Sequence, residues 1–272
     1  MSSWLVGFCS VSSKHACFGV GDVLKHSAVL TSRQLGLQFA APLHVKRSRK
    51  VSAMAAKIEL YSLATPNGMK VGVALEEMGL EYNPHTISIG KGDQFTPEFI
   101  AVNPNSKIPA ITDPNGPDGK PFNVFESGAI LLYLAEKSGK FLSPDPRLKW
   151  ETIQWVFFQM AGVGPMFGQF GHFFKYAKEK CDHPYPLERY TTEVKRLLAV
   201  LEKRLEGQEF LVGNEYSIAD MASFPWVYCL DFGYHATEYL GLSNYPNVIA
   251  WRDRCMARPA TAKGVKVCPF PS

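Results

Sequence analysis

Residues 57–61, KIELY, alternate apolar Ile58 and Leu60 with Glu59 and Tyr61, the period of a strand with one buried face. The turn Ala64-Thr65-Pro66-Asn67-Gly68 comes next, and Val71, Ala74, Leu75 and Met78 then recur at helical spacing. Thr65 is a good N-cap, Pro66 suits a first helical position that needs no N–H, and Gly79 stands where a helix ends. Thr86, Ile87, Ser88 and Ile89 alternate and predict a second strand, followed by the polar loop Gly90–Phe95. Thr96-Pro97-Glu98 predicts a helix start, which Asn103–Ser106 breaks. Ile108–Ile111 reads as a strand, the Asp113–Gly119 cluster as its turn and Phe122–Phe125 as its partner, before Glu126-Ser127-Gly128 opens the apolar helix Ala129–Glu136.

The order β-α-β-α-β-β-α within residues 57–142 is a thioredoxin-like layout. Beyond residue 148 the patterns are helical throughout. Leu148–Phe174 is apolar and aromatic but interrupted by Gly162, Gly164-Pro165, Gly168 and Gly171, which predicts a kinked or broken helix. Val194, Leu197, Leu198, Leu201 and Leu205 mark an amphipathic helix closed by Gly207. Ser217 to Asp220 matches a capping box, where loss of the Ser217 cap should cost ~0.5–2 kcal/mol. Asn247–Arg258 forms a last helix that Pro259 stops, and the tail 263–272 predicts no element and leaves Cys268 exposed. The predicted architecture is therefore an α/β domain at 57–142 joined to an all-α bundle at 148–262.

Charge changes the picture at the N-terminus. Through residue 56 the seven bases Lys14, Lys25, Arg33, Lys46, Arg47, Arg49 and Lys50 face the single acid Asp22, a net +6 in a chain of net +4, so the remainder carries −2. A nucleic-acid footprint should instead mark a folded face, so that class is set aside. Serine-rich, acid-poor residues 1–55, with small residues at Val51-Ser52-Ala53, have the composition of an organellar transit peptide. Scant arginine before Arg33 favours the plastid over the mitochondrion, and a start at Met54 would leave a cytoplasmic protein. No apolar run reaches the roughly 18–20 residues of a membrane span. The six cysteines show no CxxC and no spacing with histidine that suits zinc or a disulfide framework.

The candidate chemistry begins at Thr65–Gly68. A strand feeding a helix N-terminus favours an anion, and that geometry lowers the pKa of thiols in redox proteins. No cysteine stands in this turn, so a ligand must bring the sulfur. A cis bond before Pro109 would present the Ile108 backbone to an extended peptide. Ser127, as an N-cap, would offer N–H groups to a carboxylate, and Glu126 beside it would take an ammonium. A carboxylate, an amine, a short peptide backbone and a thiolate together describe γ-glutamyl-cysteinyl-glycine. The aromatic residues of 157–174 and His172 read as core or interface rather than catalysts.

Across residues 57–262 the sequence resembles the nu-type glutathione S-transferases, close to the bacterial glutathione-dependent disulfide-bond oxidoreductases and the fungal nitrogen-regulator group. The matching text is TPNG at 65–68, GKGDQF at 90–95, PEF at 97–99, SKIPAI at 106–111 and FESGAILLYLAEK at 125–137. It continues with LERY at 187–190, YSIAD at 216–220 and RPAT at 258–261. The resemblance implies that Thr65 and Asn67 face the sulfur of glutathione, the co-substrate, and that Gln94, Ile108, Glu126 and Ser127 hold its peptide body. It implies two glutathiones or one disulfide per subunit, Arg189 touching the second molecule, no metal, and a symmetric homodimer. The implied activity is thiol–disulfide exchange on a small disulfide without a protein cysteine. Conjugation of an electrophile, peroxide reduction and a non-catalytic regulator or scaffold are its alternatives.

Overall fold

The computed structural model describes residues 57–271, so the expectations for residues 1–55 lie outside it. The first domain runs β1 (Ile58–Ser62), α1 (Pro66–Met78), β2 (Tyr82–Thr86), α2 (Pro97–Val102), β3 (Ala110–Asp113), β4 (Phe122–Phe125) and α3 (Ser127–Ser138). The sheet order is β2-β1-β3-β4, with β1 parallel to β2 and antiparallel to β3, and β3 antiparallel to β4. This is the thioredoxin-like arrangement that the pattern predicts.

The second strand is corrected. It occupies Tyr82–Thr86, pairing Ile58 with Tyr82 through Ser62 with Thr86, and not Thr86–Ile89. As an edge strand it tolerates Pro84 and exposes nearly all its side chains, so it lacks the apolar alternation that marks a buried face. Ile87 still donates its N–H to the Ser62 carbonyl (2.9 Å) before the chain leaves the sheet.

Helix α1 is the centre of the packing. Its Val71, Ala74, Leu75 and Met78 are buried with Ile58 and Leu60 of β1 and Ile130, Leu131 and Leu134 of α3. Thr65 caps its start and left-handed Gly79 (φ 69°) its end. The helical region comprises α4 (Pro146–Phe158), a π turn (Gln159–Val163), α5 (Gly164–Gly171), a second π turn (His172–Tyr176) and α6 (Pro184–Arg204). The predicted break within 148–174 is therefore a pair of π turns, and Phe167 and Phe170 are core. Then come α7 (Ile218–Tyr228), α8 (Thr237–Leu240), α9 (Pro246–Met256) and α10 (Pro259–Gly264).

Two expectations for the C-terminal region fail. The helix predicted at Asn247–Arg258 does end before Pro259, but it is not the last: Pro259 opens α10 directly after Arg258, where a missing N–H costs nothing. That short helix crosses α1 closely, since a Cβ on Gly72 would lie 2.5 Å from the Gly264 carbonyl oxygen. Cys268 is buried rather than exposed, and its carbonyl accepts the Ala64 N–H at 2.7 Å. The tail is thereby stitched to the turn that precedes α1.

The capping box is present. Ser217 Oγ accepts from the Ala219 N–H (3.2 Å), and Asp220 Oδ2 accepts from the Ser217 N–H (2.9 Å). Asp220 is fully buried, and its Oδ1 also accepts from Leu211 N–H and the Trp251 indole, each at 2.9 Å. Ser217→Ala should accordingly lower stability by ~0.5–2 kcal/mol, read as a lower urea midpoint at unchanged slope. The domains are also clamped by Arg258, whose guanidinium donates twice to Glu77 of α1 (2.8 and 2.7 Å) and lies over the Tyr216 ring.

Candidate active site

The strand–turn–helix unit sets Thr65 and Asn67 at the head of α1. Thr65 Oγ1 accepts the Gly68 N–H at 3.3 Å. Its own hydroxyl hydrogen has only the Leu63 carbonyl at 3.5 Å, a weak partner that leaves it free to turn towards a ligand. Asn67 Oδ1 accepts the Trp226 indole N–H at 3.1 Å, so its Nδ2 end is the one presented as a donor.

A narrow cleft of about 80 Å³ joins Asn67 to Ile108, Pro109, Glu126 and Ser127. The Ile108–Pro109 bond is cis. Asn103, buried beneath, donates its amide to the Lys107 carbonyl (2.6 Å) and braces the loop that enters β3. Glu126 has φ 68° and ψ 113°, an unusual conformation for a residue other than glycine. It turns the chain sharply from β4 into α3, so that its side chain borders the cleft.

Ser127 is corrected in role. It is the first residue of α3, not its cap, and its Oγ lies 3.2 Å from the Lys70 ammonium. Gln94 sits in a single 3-10 turn (Asp93–Phe95) with Nε2 on the Ile89 carbonyl at 3.4 Å, and its buried Oε1 finds no donor among the described residues. Gln94 lines neither this cleft nor the two larger cavities that flank it. Arg189 lies half-exposed on α6, 3.7 Å from Glu193, and borders none of the three either.

Sequence reasoning missed Lys70. It falls in register with buried Ala74 and Met78 (i, i+4, i+8), which was the available signal. Its side chain is fully buried, donates to Gln159 Oε1 at 2.6 Å and approaches Met160 Sδ at 3.7 Å. Burial pulls its pKa down to about 7, against the pull of Glu126 in the other direction. Lys70, Asn67, Glu126, Gln159, Gln169 and Trp226 border a cavity of about 330 Å³ between the two domains.

On the other side of Thr65 opens an apolar cavity of about 800 Å³. Met69, Trp226, Tyr228, Phe232 and Tyr234 wall it, and tail residues Pro269 and Phe270 close one side. No local pattern announced it, because its walls come from segments some 200 residues apart. Among the described residues no three of His, Cys, Asp and Glu gather as metal ligands would, and no helix is long and apolar enough to cross a membrane.

Comparison with known proteins agrees with this geometry. The family model for the glutathione S-transferase N-terminal domain matches residues 56–136, and that for the C-terminal domain residues 163–259. The disulfide-bond oxidoreductase YfcG of Escherichia coli is 47% identical over 209 residues, spanning 76% of this chain and 94% of YfcG. YghU of the same organism, also a disulfide-bond oxidoreductase, is 46% identical over 76% of this chain and 73% of its own. A glutathione transferase from Burkholderia graminis, solved with two glutathione molecules per subunit, is 52% identical with a TM-score of 0.76. That match covers 79% of this chain and 90% of the other. One from Pseudomonas putida, solved with one glutathione disulfide per subunit, is 48% identical at the same TM-score, covering 79% and 94%. Sequence and fold thus converge, and the chain belongs to the glutathione S-transferase family.

Proposed function

We propose that this protein is a glutathione-dependent thiol–disulfide oxidoreductase in which the ligand, not the protein, supplies the reacting sulfur. One observation carries the reading: a helix N-terminus built for an anion, with Thr65 and Asn67 at its head, holds no cysteine. Nor do Cys229, Cys255 and Cys268 substitute. Burial pushes the Cys229 thiol up to about 11, and Cys255 and Cys268 are raised by the same cause. YfcG and YghU, similar over most of this chain, carry the name of disulfide-bond oxidoreductase, which supports the assignment.

Bound glutathione supplies the thiolate that attacks a disulfide sulfur. The chain's own residues position it. Thr65 Oγ–H and Asn67 Nδ2–H donate to the sulfur at the positive end of α1. The Ile108 backbone, beside the cis peptide, pairs with the peptide body, and Glu126 and the N-terminus of α3 receive its charged γ-glutamyl end. Gln94, with its undonated Oε1, and Arg189 are assigned to glutathione by the family resemblance, at the peptide body and at a second molecule respectively.

The test is glutathione-coupled reduction of a small mixed disulfide by the folded chain, with conjugation of an aryl halide run beside it. Strong reduction with weak conjugation is expected. The large apolar cavity beside Thr65 favours conjugation as the second reading, and a reversed ratio would establish it. Tight glutathione binding with neither activity would instead identify a regulator or scaffold. We extend the proposal to a homodimer, supported by Trp150 and Phe157, exposed two turns apart on one face of α4. Light scattering that returns a monomer at micromolar concentration would refute that extension.

A further inference from the structure

Lys70 is a buried base that the thiol–disulfide mechanism does not use. It lies one turn below Asn67 on the same face of α1, at spacing i, i+3, and borders the same interdomain cavity. A buried ammonium normally has a carboxylate partner, because desolvation of an unpaired charge is costly. Here the nearest partners are neutral: Gln159 Oε1 at 2.6 Å, Ser127 Oγ at 3.2 Å and Met160 Sδ at 3.7 Å.

This partner set fits either protonation state. Charged, Nζ donates to both Gln159 and Ser127. Neutral, it still donates to Gln159, and the Ser127 hydroxyl turns to donate into its lone pair. One hydroxyl rotation separates the two arrangements. Among the described residues, no second amine and no imidazole borders the cavity. Of the residues bordering the cavity, Lys70 and Glu126 alone carry ionisable side chains, and Glu126 is the charge that acts on Lys70. Charged groups on the remaining helices packed against α1 are engaged elsewhere. Asp220 of α7 serves the capping box and Trp251, and Lys263 of α10 pairs with Glu76 at 2.9 Å. Arg258, at the junction of α9 and α10, pairs with Glu77.

We propose that Lys70 is the proton acceptor for the thiol that docks at Thr65 and Asn67. The S–H bond breaks, its electrons stay on sulfur, and the proton ends on the Nζ lone pair, directly or through the Ser127 hydroxyl. No electron changes hands. The result is a thiolate and an ammonium held in one site, each lowering the cost of the other's charge. An anion arriving beside the half-neutral amine supplies the partner that the buried ammonium lacks. The site would then form its thiolate without releasing a proton to water. This inference rests on the glutathione reading, but its test separates the two.

Glutathione is titrated into the full protein at pH 8 and two quantities are read. Absorbance near 240 nm counts thiolates formed per site, and calorimetry in buffers of differing ionisation enthalpy counts protons released per site. A free thiol of pKa ~8.5 is about three-quarters protonated at this pH, so simple ionisation on binding would release about three-quarters of a proton. With Lys70 titrating at about 7, the amine is largely neutral at pH 8 and takes that proton up. The expected wild-type result is full thiolate formation with proton release near zero. In Lys70→Arg, a permanent cation, the thiolate should still form but release should rise to about three-quarters of a proton. In Lys70→Met, of similar length and without charge, the thiolate yield should fall. Wild-type release equal to the thiolate formed would overturn the proposal even if both variants fail to fold. Failure of glutathione to bind at all would overturn the functional reading instead.

Discussion

The double variant Thr65→Ala/Asn67→Ala should reduce disulfide turnover at pH 7 by up to about 25-fold, the ratio of thiolate fractions at pH 7 for thiols of pKa ~6.5 and ~8.5. One helix N-terminus plus two hydrogen bonds supports one to two units of thiol pKa depression, and each unit is worth ~1.4 kcal/mol in favour of the thiolate. Removing Thr65 deletes the donor and the cap on Gly68 N–H. Removing Asn67 deletes the second donor and leaves the Trp226 indole without its acceptor, so the cavity wall between the domains loosens too. The signature is in the pH profile. As pH rises from 7 to 9 the thiol ionises without help, so the deficit should shrink steadily. A deficit that stays constant with pH would mean that the two residues act on binding alone. Unchanged turnover at pH 7 would remove them from the mechanism.

Gly68→Ala should be at least as damaging, although glycine touches no ligand. A Cβ there would lie 1.8 Å from the Leu63 carbonyl oxygen and 2.6 Å from Ser62 Oγ. The first of these is backbone at the end of β1, which cannot swing aside as a side chain would. The first turn of α1 must therefore move away from the strand, carrying Thr65 and Asn67 with it. Overpacking of this kind costs ~1–3 kcal/mol, and a shift of about 1 Å in a positioning group can cost on the order of 100-fold in rate. The expected outcome is a folded protein with a lowered melting temperature, weakened glutathione affinity and turnover reduced by one to two orders of magnitude. A variant with wild-type kinetics would show that this turn is plastic.

The features legible in the sequence are those decided locally. Thr65, Pro66 and Gly79 mark the ends of α1 because capping is settled within one turn of chain, and Ser217 with Asp220 does the same for α7. Strand β2 lies four residues before the stretch whose pattern predicts it, because an edge strand is held by β1 and needs no apolar pattern of its own. Pro259 reads as a stop because proline ends one helix and begins another with the same chemistry, and only contact with α1 selects the second. Cys268 reads as exposed because the bond that buries its segment runs to Ala64, far away in sequence. In the site, the motif positions Asn67, Ile108, Glu126 and Ser127 converge on one cleft. The groups that support them, Trp226, Gln159 and Lys70, are joined only by tertiary packing.

Glu126 carries a consequence for anyone who would improve this protein. Its left-handed backbone costs on the order of 1–3 kcal/mol for a residue with a Cβ, a strain that glycine would largely relieve. A library sorted by heat resistance alone would therefore be drawn towards Glu126→Gly. The winning clones would survive longer and would have discarded the carboxylate that borders both the binding cleft and the Lys70 cavity. At this position durability and recognition are opposed, and a selection that measures only the first will erode the second.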